Sequence, residues 1–278
     1  MPRLSIPSRR RFGASTVRRC AIWSAAAIAA SGGATSLQVS GRLSDVGRQR
    51  FVNAAAAATV EPQDKKEEPA PAIDWQTIFQ VHYDNRVRAF REQNQAWQNV
   101  VLLGDSITEG FEVTKFLPGR RVLNRGIGGD VIGNALPDSD RRGVLRRLEE
   151  SVLDCSATHV FLLIGVNDLN SGRTPEIMEP GYRELFERLR REAPRLTVYV
   201  QSVLPTRGEH ASRNPQIVDV NERLQKLAAE FSFVYIDLHA LMRDENGELK
   251  QEFTADGLHL VDAGYEIWAA EVCKRMEW

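Results

Sequence analysis

Short, strongly apolar runs separated by helix-periodic segments constrain this chain more than any other feature. Residues 100–103 (VVLL), 160–164 (VFLLI), 196–203 (LTVYVQSV) and 233–236 (FVYI) are apolar at most consecutive positions rather than at alternate ones. Strands of that kind have no solvated face and must be covered on both sides. Residues 122–124 (VLN) are a shorter candidate. Helical patterns lie between the runs. Leu145 and Leu148 belong to one. Tyr182, Leu185, Phe186 and Leu189 follow the i, i+3, i+4, i+7 template, with Thr174-Pro175 at its approach. Val218, Leu224, Leu227 and Ala228 mark another, and Tyr265, Trp268, Val272 and Met276 the last. Ahead of them, Asp74 suits the N-cap of a helix carrying Trp75, Ile78 and Phe79 on one face. Strands alternating with helices predict an α/β fold, a three-layer α/β/α sandwich around a mostly parallel sheet of about five strands. Ligands of such sheets bind outside the carboxyl ends of the strands, so the residues after each run matter first.

The charge is unevenly distributed. Residues 1–44 hold seven arginines (Arg3, Arg9, Arg10, Arg11, Arg18, Arg19 and Arg42) and no acid, although the whole chain of 278 residues has a net charge of only −1. That balance argues against a nucleic-acid binder built on a basic surface. The basic start is followed by a short Ala-rich apolar run, 21–30 (AIWSAAAIAA), and then by the small residues Ser31-Gly32-Gly33-Ala34. This is a targeting pattern, and Ser8-Arg9-Arg10-Arg11-Phe12 resembles a twin-arginine export motif. An organelle transit peptide and an uncleaved anchor are the other readings. No stretch reaches the roughly 18–20 apolar residues of a membrane span. The expected organisation is a targeting segment at 1–33, a low-complexity linker at 34–73 and a folded domain at 74–278. The linker's Ala54 to Ala58 run and its EPQDKKEEPAP stretch cannot bury enough apolar area to offset their ordering entropy.

Three of the runs end in distinctive blocks. Gly104-Asp105-Ser106-Ile107-Thr108 follows the first. Asn124-Arg125-Gly126-Ile127-Gly128-Gly129-Asp130 follows the second. Gly165-Val166-Asn167-Asp168 follows the third, and Asp256-Gly257-Leu258-His259 stands near the C-terminus. Any one is ordinary turn chemistry; the four in this order are not. A serine hydroxyl becomes a nucleophile when a base takes its proton. Ser106 is the one serine at the end of a buried strand beside a glycine. His259 titrates near neutrality, and Asp256 is placed to hold its other ring nitrogen.

The four blocks resemble the SGNH (GDSL) hydrolase family over about residues 97–278. Gly-Ile-Gly-Gly-Asp and Gly-Val-Asn-Asp are most similar to the branch with platelet-activating-factor acetylhydrolase Ib catalytic subunits and bacterial carbohydrate O-acetylesterases. The resemblance implies a flavodoxin-like sheet and a catalytic set of Ser106, Asp256 and His259. It also implies an oxyanion hole from the backbone N–H groups of Ser106 and Gly129 and the side-chain amide of Asn167. No cofactor and no metal is expected. The expected substrate is a small-molecule or glycan ester of a short acid, O-acetylated carbohydrate first. A lysophospholipase and a non-catalytic glycan-binding module on the same fold are the alternatives. Nothing in the sequence sets the oligomeric state.

The bland readings stand beside these. Ser106 suits a helix cap, Gly129 a positive-φ turn, and Asn167 a left-handed turn. Asp256-x-x-His259 also suits half a metal site, with no cluster to complete it. Of the five histidines, His239 competes for the role of base because Asp237-Leu238-His239 follows a strand, although it also suits the start of a short helix. His159 reads as a strand-start residue and His82 as part of the leading helix. Arg207 and His210 lie in a loop after a strand and are candidates to touch substrate. Asp105, Asp130 and Asp168 read as acids that tie loops through backbone hydrogen bonds. Arg141, Arg142, Arg146 and Arg147 read as a solvated helix face. Cys20 falls in the targeting segment. Cys155 and Cys273 read as buried thiols serving as small hydrophobes.

Overall fold

In the computed structural model, residues 74–94, 99–134, 140 and 142–278 are described. The targeting and linker segments, 1–33 and 34–73, lie outside the described residues, as do Cys20 and Arg141. Five strands form a single parallel sheet: β1 (Asn99–Gly104), β2 (Val122–Gly126), β3 (Ala157–Leu163), β4 (Thr197–Gln201) and β5 (Val234–Ile236). Their spatial order is β2-β1-β3-β4-β5. On β1, Leu102 and Leu103 point to opposite faces, and both are fully buried. Side chains on both faces are therefore covered, as the uninterrupted apolar run requires.

The helices that cover it are α1 (Trp75–Gln93), α2 (Ser106–Glu109), α3 (Val113–Phe116), α4 (Val166–Asn170), α5 (Pro175–Glu192), α6 (Asn214–Glu230), α7 (Leu238–Met242) and α8 (Asp262–Met276). The result is the expected α/β/α sandwich. Pro175 begins α5 directly after the cap residue Thr174, where a missing N–H costs nothing. In α8, Trp268 is fully buried, and its indole N–H donates to Gln201 at 2.6 Å. Among the described residues, no helix is long and apolar enough to cross a membrane.

Three local expectations change. The buried face of α1 is Tyr83, Val87 and Phe90, which cluster with Ile127; Trp75 and Ile78 are exposed. The stripe that reaches the core thus begins one turn later than Phe79. On α6 the buried line runs through Ile217, Val220 and Leu224, so Val218 falls one position off it and is exposed. The third change concerns the arginines. Leu145 and Leu148 do not sit on an α-helix. A 3₁₀ turn (Val144–Arg147) runs into a π-helical turn (Glu149–Leu153), and the α-helical period fails there. Arg146 is solvated, but Arg147 turns fully inward. Arg142 is half-buried and pairs with Asp140 at 2.8 Å. These two arginines are not a solvated face.

The strand order reverses direction at β1, with β2 on one side and β3 on the other. The crevice of a doubly wound sheet opens at that switch point. Gly104 of β1 stands level with Gly126 of β2 and Leu163 of β3. The loops that follow these three strands therefore emerge side by side.

Candidate active site

Ser106 is the first residue of α2, directly beyond β1. Asp105 caps that helix, its Oδ1 accepting the Ile107 N–H at 3.0 Å. The turn demands glycine at 104, because a Cβ there would lie 2.1 Å from the Leu163 carbonyl and 2.2 Å from Thr108 Oγ1. Ser106 is half-buried while its neighbours Asp105 and Ile107 are buried. Its Oγ lies 3.0 Å from His259 Nε2, and His259 Nδ1 lies 2.7 Å from Asp256 Oδ2. The other oxygen of Asp256 accepts the backbone N–H groups of Leu258 and His259 at 2.9 and 2.8 Å. The loop is closed from below: Gly257 N–H donates to Thr254 Oγ1 at 2.9 Å, and the Gly257 carbonyl accepts the Arg207 N–H at 2.8 Å.

The electrostatics follow from these contacts. Burial works against charge on both partners, but the mutual hydrogen bond and opposite charge outweigh it. Asp256, which also accepts two N–H groups, is held well below the usual carboxylate range. His259 is raised above its ordinary value, with Asp105 adding a smaller push. An imidazole whose Nδ1–H is committed to Asp256 presents a bare Nε2 to the Ser106 hydroxyl, which is the tautomer a general base needs.

Gly129 follows β2 at φ +73°, a left-handed conformation, and a Cβ on it would come within 2.9 Å of the Phe79 ring. Arg142 Nη1 donates to its carbonyl at 2.8 Å. Asn167 stands in the first turn of α4, and one of its amide hydrogens goes to the Asp130 carbonyl at 2.9 Å. That bond orients the amide and leaves its second N–H to donate. Ser106, Gly129 and Asn167 are each half-exposed on a background of buried residues. These are the donors that the family resemblance assigns to the negative oxygen of a tetrahedral intermediate. Replacing Asn167 by alanine is expected to reduce kcat/KM with little change in KM, a loss of about 3 kcal/mol of transition-state stabilisation, read by steady-state kinetics on p-nitrophenyl acetate.

The other candidates have partners of their own. His239 is in α7, its backbone N–H bonded to Ser202 Oγ at 2.7 Å. Its side chain lines a cavity of about 240 Å³ with Asn221, Tyr235 and Arg243, away from Ser106. Arg207 commits its guanidinium to Asp244 and, at 3.4 Å, to Glu248. It meets the site through its backbone bond to Gly257. His210 lies in a 3₁₀ turn (Gly208–Arg213), where its carbonyl accepts from Thr206. Asp168 accepts the Ile132 N–H and pairs with Arg173 at 2.6 Å. Burial pushes the Asp105 carboxyl up to about 7, against the pull of the Ile107 N–H and His259. Cys155 is a buried thiol whose Sγ meets the Val152 carbonyl at 3.2 Å, while Cys273, expected to be buried, is only half-buried.

Three residues support the site in roles that the sequence did not reveal. Arg147 is the chief one. Its Nε bonds Asp130 at 2.8 Å, its Nη1 the Arg125 carbonyl and Ser151, and its Nη2 the Gly104 carbonyl. One buried side chain thereby joins the ends of β1 and β2 to the Gly129-Asp130 loop. Glu109 accepts the Gly128 N–H at 2.6 Å and meets His82 at 3.0 Å. Asn124 donates to the carbonyls of Thr108 and Phe111.

Residues 102–267 match the GDSL-like Lipase/Acylhydrolase family. The chain belongs to that family. Membership places it among carboxylic ester hydrolases. Its fold resembles that of a Streptococcus pneumonia protein described provisionally as a platelet activating factor. That likeness has a TM-score of 0.64 at 23% identity, covering 73% of this chain and 96% of the other. A GDSL-like lipase from Bacteroides thetaiotaomicron gives a TM-score of 0.60 at 23% identity, covering 71% and 98%. The aryl esterase of M. smegmatis gives 0.53 at 15% identity, covering 65% and 99%. A curated relative, the N-acylneuraminate cytidylyltransferase of Escherichia coli O18:K1:H7, is 24% identical over 191 residues. The match takes in 68% of this chain but only 43% of that protein's length.

Proposed function

We propose that the chain is a serine esterase that removes short acyl groups, O-acetyl groups on carbohydrate first, through an acyl-enzyme on Ser106. The observation that carries the reading is the unbroken hydrogen-bonded path from Ser106 Oγ through His259 to Asp256. His259 takes the hydroxyl proton as Ser106 attacks the ester carbonyl. The N–H groups of Ser106 and Gly129 and the Asn167 amide hold the oxyanion. His259 then hands the proton to the departing alcohol, and water, activated by the same imidazole, releases the acid. Two observations support a short acyl group and a sugar alcohol. The apolar residues next to the site, Ile107, Ile127, Val131 and Val166, are sunk in the interior rather than lining an open channel. The curated relative is named for an N-acylated sugar acid. Export, on the strength of the basic, acid-free leader, is part of the same proposal.

The test is hydrolysis of p-nitrophenyl esters from acetyl to palmitoyl by the purified protein. The expected profile peaks at acetyl; a peak at long chains would transfer the reading to a lysophospholipase, and no activity from folded protein to a binding module. The pH dependence supplies a second check. With His259 raised, the acidic limb of kcat/KM lies above the ordinary histidine value, because the base works only when neutral. Asp256→Asn is expected to lower kcat by about 10⁴-fold and to move that limb to lower pH, as the anion that favours imidazolium is gone.

A further inference from the structure

Phe79 and Trp75 lie one turn apart on α1, their ring centroids 6.3 Å apart and tilted by 35°. Their positions are unusual for large aromatic side chains. Neither belongs to the buried core, and Trp75 is 37% exposed. Phe79 is half-buried, and its ring occupies the space a Cβ of Gly129 would enter, at 2.9 Å. It therefore forms a wall of the loop that carries the oxyanion glycine. The wall is braced: the Arg142 guanidinium lies 5.4 Å from the Phe79 centroid while its Nη1 holds the Gly129 carbonyl at 2.8 Å. α1 also stands outside the stretch matched to the family, residues 102–267.

We infer that Phe79 and Trp75 form an aromatic platform that receives the sugar ring on the alcohol side of the ester, which makes them specificity-determining residues. The inference rests on the esterase reading above. An ester carbonyl held at the Gly129 N–H places one of its substituents beside Phe79. An aromatic face carries negative charge density, and a pyranose offers it a flat patch of polarised C–H groups while its hydroxyls stay in water. A partly exposed ring suits such a guest. An acyl chain gains from enclosure, and a tryptophan open to solvent would leave the chain wet.

The experiment compares two acetyl esters, mono-O-acetylated xylotriose and ethyl acetate, with p-nitrophenyl decanoate as a long-chain control, in the full-length protein and in Trp75→Ala, Phe79→Ala and Trp75→Tyr. The expected result is a fall of about tenfold in the ratio of kcat/KM for the trisaccharide to that for ethyl acetate in each alanine variant. The fall resides in KM, and Trp75→Tyr recovers most of it. A parallel fall on both esters would mean that the rings merely support the loop, and would overturn the inference. So would an unchanged ratio. A larger loss on p-nitrophenyl decanoate than on the trisaccharide would place the rings on the acyl side and overturn it too. Inactivity of the unaltered protein on both acetyl esters would defeat the esterase reading itself, an outcome distinct from a fixed ratio in an active enzyme.

Discussion

Ser106→Ala is expected to lower kcat on p-nitrophenyl acetate by up to about 10⁶-fold, the loss seen when the nucleophile of an assembled triad is removed. KM should change little, because the hydroxyl is used only as bonds are made and broken. Folding should be almost unaffected. The side chain is half-buried, its hydroxyl is bonded to His259, and the cap of α2 is supplied by Asp105. Thermal unfolding of the variant at the parent temperature, with activity gone, is the signature to look for. His259→Ala should match it within about tenfold, since nucleophile and base act as a unit. His239→Ala should retain turnover, because that imidazole lines a separate cavity.

The second large effect is on stability. Arg147→Met is expected to destabilise the fold by about 3–5 kcal/mol, the usual cost of leaving a buried charge without its partner. For a domain of this size that is a fall of roughly 10 °C in Tm. Arg147 and Asp130 are both fully buried, with an N–O separation of 2.8 Å. The Gly104 and Arg125 carbonyls and Ser151 Oγ lose donors at the same time. Neutralising the acid as well, in Arg147→Met with Asp130→Leu, should recover much of the loss, because the pair and its desolvation are removed together. Arg146→Ala, one residue away but solvated, should stay within about 0.5 kcal/mol of the parent. Activity should fall with stability in Arg147→Met, since Asp130 lies between Gly129 and the carbonyl bond that orients Asn167.

What the sequence discloses and what it hides divide along physical lines. The strands were legible because burial on both faces leaves apolar residues at consecutive positions, as in Leu102 and Leu103. β5 is shorter than its apolar run. Phe233 turns back to bond the Ala228 carbonyl, and Val234 is exposed on this edge strand. The blocks around Ser106, Gly129, Asn167 and His259 were legible because the four occur together in this order, although each alone is ordinary turn chemistry. Arg147 was not. Its inward turn depends on a 3₁₀ segment passing into a π turn, and periodicity arguments assume a regular helix. Glu109 and Arg142 were hidden for another reason. Each acts on a loop distant in sequence, Gly128 and Gly129, and a contact of that kind leaves no local pattern. Trp75 and Ile78 misled because an apolar stripe reads as core whether or not the sheet extends beneath it.

The most direct test of the account is to quench the enzyme in acid during turnover of p-nitrophenyl acetate and map the modified peptide by mass spectrometry. The account predicts one acetyl group, on Ser106, that accumulates when deacylation is slowed and is absent from Ser106→Ala. Acetyl transfer to another side chain, or product formation in Ser106→Ala at the parent rate, would contradict it.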